Sequence, residues 1–512
     1  MTVTSLPARP APAPAPRVAP QNLARLLWVE LRHNAMPLVL PLIAVLFWFD
    51  SYRIAAAMPP LWVERLYYIL GQGHALIDFA PFVAGVAAWM GSRDGRRGMA
   101  DLVTATVRPR WEAQLATWAA TVVWAVGAYL VFMAVTLYLL GRSVAWGSPP
   151  WWPVAVDAVG VVAFASLGFA LGASFPGRFI APVAAFGGLF AMGTSSQIGF
   201  SAKGGWALIL PTMSNGNFGQ DAGIFYQFLP DLPIDRVIFA AGVAAAAVGL
   251  LGLPAWAGGP RLRRSAAVVT VTGAAAAVAA IVLAFTAHVG PYGTVIPALH
   301  DAASDQPIRY TPVCSHPGIP VCLQPAYRPY LPDVTTALRP VISQVSGLPG
   351  APARASQVAA VFAPGPTVAG PISVGQILTL SGSPPVLDMP VGAIALPGSF
   401  GEDSASFISQ LKVESVHALV TPGSSYGNAA QQAVQAALLQ HAGIPLAAQP
   451  DALGGTPWPL PFRNPNVAAR YPPPIAAAAR RFAALPATTR HAWLTTHLAA
   501  LRAGQLTLTQ LP

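Results

Sequence analysis

The amino-acid sequence predicts an α-helical polytopic membrane protein of about seven transmembrane helices followed by an α/β-type extracytoplasmic domain. Three observations predict this. Charged residues make up only 9% of the 512 positions and hydrophobic residues 54%, with a mean hydropathy of +0.53, whereas a soluble domain carries about 25% charged residues. The apolar residues gather in seven runs that, alone or with their flanks, approach the roughly 20 residues needed to cross a bilayer as a helix. Beyond them, residues 289–512 revert to short runs punctuated by Gly and Pro, over a length sufficient to bury a separate core.

Residues 1–21 contain PARPAPAPAP. This Pro/Ala-rich stretch is expected to be disordered, and it lacks the apolar h-region of a secretory signal. In NLARLLWVELRH (Asn22–His33), Leu23, Leu26, Leu27 and Leu31 recur at helical spacing beside Arg25 and Arg32. Either an amphipathic helix in the membrane interface or a solvent-side start to the first span accounts for them. Six spans are expected within residues 22–265: Met36–Phe49, which must borrow Asn34 and Asp50–Arg53 to reach crossing length, then Ala75–Met90, Leu115–Leu140, Val154–Phe175, Phe179–Phe200 and Val237–Trp256. A seventh, Ala266–Phe285, occupies residues 266–288.

Orientation follows from the Lys and Arg in the connections. With the N-terminus in the cytoplasm, the inner set is Arg9, Arg17, Arg25 and Arg32, then Arg93, Arg96, Arg97, Arg108 and Arg110, then Arg178, then Arg261, Arg263 and Arg264. The outer loops hold only Arg53, Arg65, Arg142, Lys203 and Arg236. Trp146, Trp151 and Trp152 fit an aromatic belt on the outer side. Seven crossings place the C-terminal domain outside the cell membrane, where Cys314 and Cys322 are candidates for a local disulfide. Two cysteines cannot complete a four-cysteine zinc site.

Within that domain, Gln357–Ala363, Gly375–Ser381 and Val391–Gly398 are expected as strands. Asp403–Val420, Gly427–Ala442, Ile475–Leu485 and Ala487–Ala503 are expected as helices, with Gly443 and Gly504 as stops. The Pro-rich stretches Tyr310–Pro332 and Pro457–Pro474 are expected to be irregular.

Absent motifs narrow the chemistry. The two lysines, Lys203 and Lys412, precede Gly204 and Val413, so no Walker A motif with Lys-Ser/Thr exists. HExxH is absent as well, and the single G-x-S-x-G spacing, GSSYG at Gly423–Gly427, is expected to be a turn instead of a catalytic elbow. No catalytic residue, metal ligand set or cofactor is therefore expected, and ATP hydrolysis is not expected in this chain. The net charge of +10 does not indicate nucleic acid, because the arginines lie between apolar spans instead of along one face. Asp78 and Asp157, near the outer ends of the second and fourth spans and close enough to the interface to be hydrated, are candidates for a transport path. Ser195 and Gln197 in the polar end of the fifth span join them, with hydrogen bonding between helices as the bland alternative.

The longest basic interruption, RDGRRGMADLVTATVRPRW (Arg93–Trp111), carries five arginines between two long apolar runs. A short amphipathic segment of this kind can seat in a groove on a soluble partner, with Arg93, Arg96, Arg97 and Arg110 toward an acidic rim and Leu102 and Val103 in an apolar pocket. The segment resembles the loop between the second and third spans of type-2 ATP-binding-cassette transporter permeases. The resemblance rests on Arg97 and Gly98, the acid Asp101, the apolar Leu102 and Val103, and Arg110 with Trp111 before the next helix. Arg96 stands where the family more often has an acid, and Pro109 is displaced. The resemblance covers residues of about 22 to 260 and leaves the seventh span and the tail as additions. It implies a membrane permease subunit driven by a separate nucleotide-binding ATPase docking on residues 93–111, working in membrane lipid with a second permease subunit as a homo- or heterodimer. A membrane anchor that presents an extracytoplasmic binding or sensor domain without transport is the alternative.

Overall fold

The computed structural model describes residues 20–71, 73–98, 109–149, 151–201, 209–210, 224–225, 234–254, 258–286, 288–289, 295–296, 298–299, 308–316, 318–358, 378–391, 394, 396–398, 403–421, 427–448 and 471–512. Most of residues 1–21 and of Pro457–Pro474 lie outside this set.

Five helices among the described residues are long and apolar enough to cross a membrane: Met36–Ala57, Trp62–Gly91, Arg110–Gly141, Trp152–Ser174 and Pro260–Phe285. The remaining two runs form helices Ile180–Ser201, with its described apolar part at Ile180–Ser195, and Ile234–Leu250. Helix α1 (Pro20–Arg32) precedes them all.

The first span, α2 (Met36–Ala57), does extend past Phe49 to gain its length. It carries Pro41 inside and passes through a π-helical turn at Phe47–Tyr52. The second starts earlier than expected. A short helix, α3 (Trp62–Leu66), and a π-helical turn (Tyr67–Gly71) lead to the left-handed Gly73, at φ +75°, and then to α4 (His74–Gly91). Arg65, expected in an outer loop, is instead buried in α3. It donates to the Leu140 carbonyl at 2.8 Å and to the Ser143 hydroxyl, where it offsets the partial negative charge at the end of a long helix.

That helix, α6 (Arg110–Gly141), follows the short turn α5 (Arg93–Arg96) and has 32 residues. At 1.5 Å per residue it is about 48 Å long, so it tilts or protrudes beyond a hydrocarbon core of about 30 Å. Next come α7 (Trp152–Ser174), α8 (Ile180–Ser201), α9 (Ile234–Leu250) and α10 (Pro260–Phe285).

Helix α4 is the buried centre of the bundle, packed against α7 and α8, while α10 packs on α9 and exposes Val268, Val271, Val278 and Val282. Glycine sets the closest approach. A Cβ at Gly168 would lie 2.2 Å from the Ala84 carbonyl oxygen, and one at Gly172 would lie 2.1 Å from that of Ala88. This Gly-x-x-x-Gly pair brings α7 backbone to backbone with α4.

The tail combines helices with a small sheet. After the hairpin β1 (His288–Val289) and β2 (Val295–Ile296), a mixed five-stranded sheet has the order β3-β4-β5-β7-β6. Its strands are β3 (Val313–Cys314), β4 (Val321–Leu323), β5 (Arg354–Gln357), β6 (Thr379–Ser381) and β7 (Val386–Met389). The β4–β5 and β5–β7 pairs are parallel, and the two outer pairs are antiparallel. Helix α11 (Leu331–Val345) makes the crossover from β4 to β5, buries Val334, Leu338, Val341 and Val345, and begins with Pro at its first turn.

The region Tyr310–Pro332 is thus not irregular: it holds β3 and β4. The expected strand at Val391–Gly398 shows no strand among its described residues, and the strand lies just before it at β7. Of Gln357–Ala363 only Gln357 is in a strand, and Thr379–Ser381 is the described strand within Gly375–Ser381. The helices α12 (Ser404–Val420), α13 (Ala429–His441), α14 (Pro473–Ala484) and α15 (Ala487–Arg502) match the expected set within two residues. Asp403 caps α12 at the Ser406 amide, Asn428 and Gln431 form a capping box on α13, and Gly443 and Gly504 adopt φ +88° and +70° after the last turns.

The tail does not hang free. Leu61 and Val63, beside and within α3, are buried in the tail's core with Tyr327, Tyr330 and Leu396. Ile224 and Phe225 join the same cluster, and Gln324 donates to the Ile224 carbonyl.

Candidate functional site

The basic turn begins where α4 ends. Ser92 is fully buried and donates to the Trp89 carbonyl, and the backbone carries on as α5. Arg93 turns back toward α1. Its Nη1 and Nη2 donate to Oε2 and Oε1 of Glu30 at 3.0 and 2.9 Å, a bidentate pair in which the side chains are only 24% and 11% exposed. Such paired, charge-assisted bonds are the strong class. They push the Arg93 guanidinium above its ordinary value.

Arg96 lies flat over the Trp89 ring, 3.3 Å from its centroid, while its Nε donates to Ser92 Oγ and its Nη2 to the Trp89 carbonyl. Desolvation, and next the like charge of Arg97, pull Arg96 below its ordinary value. Arg93 and Arg96 are thus both engaged within the chain. Arg97 and Gly98 are exposed, and Gly98 has φ +64°, a conformation that glycine adopts without strain. Asp101, Leu102 and Val103 lie outside the described residues.

The chain re-enters the described set at Pro109. Trp111 is buried. Its indole donates to the Val248 carbonyl at 3.2 Å, and its ring faces Gly252, where a Cβ would lie 2.8 Å away. Arg110 opens α6 one residue before it. Helix α1 is fastened to the same helix further on, by Trp124 donating to the Leu31 carbonyl at 2.9 Å and Asn34 donating to Thr121 Oγ1 at 2.9 Å. Helix α1, the turn after α4 and the start of α6 thus form one connected unit. Glu30, its central acid, was not singled out from sequence. The only signal was that it is the one acid in an arginine-bearing amphipathic helix.

The intramembrane candidates separate into two clusters. Asp78 and Asp157 are 6% and 3% exposed, so neighbouring helices bury both, contrary to the hydrated positions expected of them. Ser51 Oγ donates to Asp78 Oδ2 at 2.8 Å. Asp157 instead keeps company with Arg236 of α9, whose charge acts on it, and with Tyr129 of α6, whose hydroxyl lies beside it without closing a full hydrogen bond. Arg236, expected in an outer loop, thus belongs to a three-helix polar cluster. Ser195 bonds back to the Ala191 carbonyl of its own helix at 2.6 Å, so its hydroxyl proton is engaged there and not across a helix interface. The side chain of Gln197 lies outside the described residues.

Cys314 and Cys322 are joined by a disulfide between directly opposed positions of β3 and β4. Among the described residues, no group of three or more His, Cys, Asp or Glu is placed to hold a metal ion. No family model, curated protein or solved structure matches the chain.

Proposed function

We propose that this chain is the membrane permease subunit of an ATP-binding-cassette transporter, driven by a separate nucleotide-binding ATPase that docks on residues 93–111. The permease core is the six-span region 22–265, and a second permease subunit completes the assembly. In this reading α10 is the seventh span, the N-terminus and the arginine-rich turn face the cytoplasm, and residues 289–512 lie outside.

The observation that carries it is an opposition within the fold. The arginine-rich turn closes one end of α4, and the tail seats on α3 beyond the other end. A basic loop on one side and a disulfide-bearing domain on the other agree with the positive-inside rule and with an oxidising outer compartment. The anchoring of the turn supports its use as an input for force. A push on Arg97 or Gly98 is carried by the Arg93–Glu30 pair into α1 and by Trp111 into α9.

Coupling is tested by purifying the full chain with a candidate cassette ATPase encoded alongside it. Copurification and stimulated ATP hydrolysis are expected, both lost on combining Arg97→Glu with Leu102→Asp. Binding that survives that double substitution overturns the docking site. A chain that folds and displays its tail, yet copurifies with no ATPase, is instead a membrane anchor presenting a binding domain. Topology is tested separately. Both native cysteines are in the disulfide, so Gln505→Cys should label from outside in intact cells and Arg97→Cys should not; the reverse pattern overturns the orientation.

A further inference from the structure

The first two spans hold a polar cluster, Asp78 among it, that the docking of an ATPase does not use. The π-helical turn Phe47–Tyr52 places Asp50 and Ser51 side by side at the tail end of α2, and such turns occur disproportionately at functional sites. A second π-helical turn, Tyr67–Gly71, faces the first. Helix α4 contributes His74 and Asp78, four residues apart and so on one face.

The two pairs interlock. His74 Nδ1 lies 2.9 Å from Asp50 Oδ2, the Tyr68 ring stacks on His74 at 4.2 Å, and Ser51 Oγ donates to Asp78 Oδ2 at 2.8 Å. The outer pair reaches the surface of the bundle, with Asp50 and His74 side chains 45% and 23% exposed. The inner pair does not, because Ser51 is fully buried and Asp78 nearly so.

The charge count of this cluster depends on its protons. An ionised Asp78 would be a charge buried between apolar helices, which is unfavourable where water is excluded. Two carboxyls within electrostatic reach of each other oppose simultaneous ionisation for the same reason.

Among the described residues, the cations nearest in sequence are engaged elsewhere. Arg53 lies over the Phe49 ring, and Arg65 is held by the end of α6. Asp157 and Tyr129 face each other in the other cluster, and Tyr68 is the phenol that Asp50 and Asp78 both act on.

The geometry points to a proton-binding site formed by Asp50, His74, Ser51 and Asp78 at the tail end of the first two spans, whose ligand is the proton itself. A hydronium ion from the tail side gives up one O–H bond, a carboxylate oxygen of Asp78 gains one, and water leaves. Asp50 and His74 form the half-exposed mouth, and Ser51 orients the buried acceptor. This inference does not rest on the permease reading, since it concerns a site at the opposite end of the bundle from the docking turn.

The test is difference infrared spectroscopy of the full chain in lipid nanodiscs, titrated between about pH 5 and 9. Chromatographic homogeneity confirms that each variant is folded. A protonated-carboxyl C=O band that is lost on alkalinisation is expected in the native chain and absent from Asp78→Asn. The midpoint of its loss should move to lower pH in Asp50→Asn, which removes the neighbouring carboxylate, by about one pH unit, a tenfold change in proton concentration. A band unaffected by Asp78→Asn, or a midpoint that does not move to lower pH in Asp50→Asn, overturns the site. Because no ATPase is present, failure here leaves the docking reading standing, and failure of docking leaves this site standing.

Discussion

Replacing Gly168 by Ala tests how tightly the bundle is closed. A helical Gly→Ala change that meets nothing is stabilising by roughly 0.5–1 kcal/mol, because it restricts the unfolded chain. At Gly168 the new methyl would sit 2.2 Å from the Ala84 carbonyl oxygen, against an ordinary carbon–oxygen contact near 3.3 Å. Helices α4 and α7 must therefore part locally by about 1 Å. The obstacle is backbone, so no side chain can swing away.

Forced separation of packed elements costs about 1–3 kcal/mol, and in lipid the lost contacts are not offset by a hydrophobic term between helices. Packing outweighs propensity, and a net loss of about 1–2 kcal/mol is expected. Gly172→Ala should behave alike, and the double variant should fall short of the sum, since one separation relieves both clashes. Gly187, which has nothing within 4 Å of its would-be Cβ, is the control; Gly187→Ala should be neutral or mildly stabilising. The assay is thermal melting of the full chain in detergent, followed by size-exclusion chromatography. A Gly168→Ala protein that melts at or above the native temperature, or together with Gly187→Ala, would refute the close-approach argument.

Three further outcomes are expected. Glu30→Gln removes the acid that holds Arg93, and hydrogen bonds to charged groups contribute about 1.5–3 kcal/mol each way; hydrogen exchange over α1 and α5 should accelerate about tenfold or more, and unchanged exchange would dissociate the pair from the order of the turn. Burial, the larger influence on His417, lowers its imidazole below the ordinary value of about 6.5. The unfolded chain therefore binds the proton more readily, so stability present above about pH 6.5 is lost as pH falls below it; exchange over α12, corrected for intrinsic rate, should rise from pH 7 to 5 and do so less in His417→Gln. Reducing the Cys314–Cys322 bridge, whose sequence separation is 8, should cost the tail about 2–3 kcal/mol on the chain-entropy estimate, seen as a lower unfolding midpoint for β3 and β4; an identical midpoint in Cys322→Ser would show that the sheet alone orders that edge.

Local chemistry explains what was legible beforehand. Apolar run length is a property of consecutive residues, so the positions of the helices could be read directly, down to the need for Met36–Phe49 to extend through Arg53. Caps are equally local: Asp403, Gly443 and Gly504 act within a turn of themselves. The strands were harder because each has two to four residues, too few for alternation to show. Helix α11 went unread because Pro332 and Pro340 interrupt it in sequence, whereas one occupies its first turn and the other is tolerated inside.

By itself, the sequence determined the class of the molecule, the succession of apolar helices, the asymmetry of its arginines and the mix of helices and strands in the tail. These depend on composition and on spacing within a few residues. Only the tertiary structure decided what the charged groups inside the apolar region do. Arg65 and Arg236, which resemble loop cations in sequence, turn inward to Leu140 and Asp157; Glu30 takes Arg93; and Asp50 and His74 meet across a gap of 24 residues. A buried charge must find its partner through space, and the partner is set by which helices pack together. That packing is governed at Gly168 and Gly172 by the absence of a side chain.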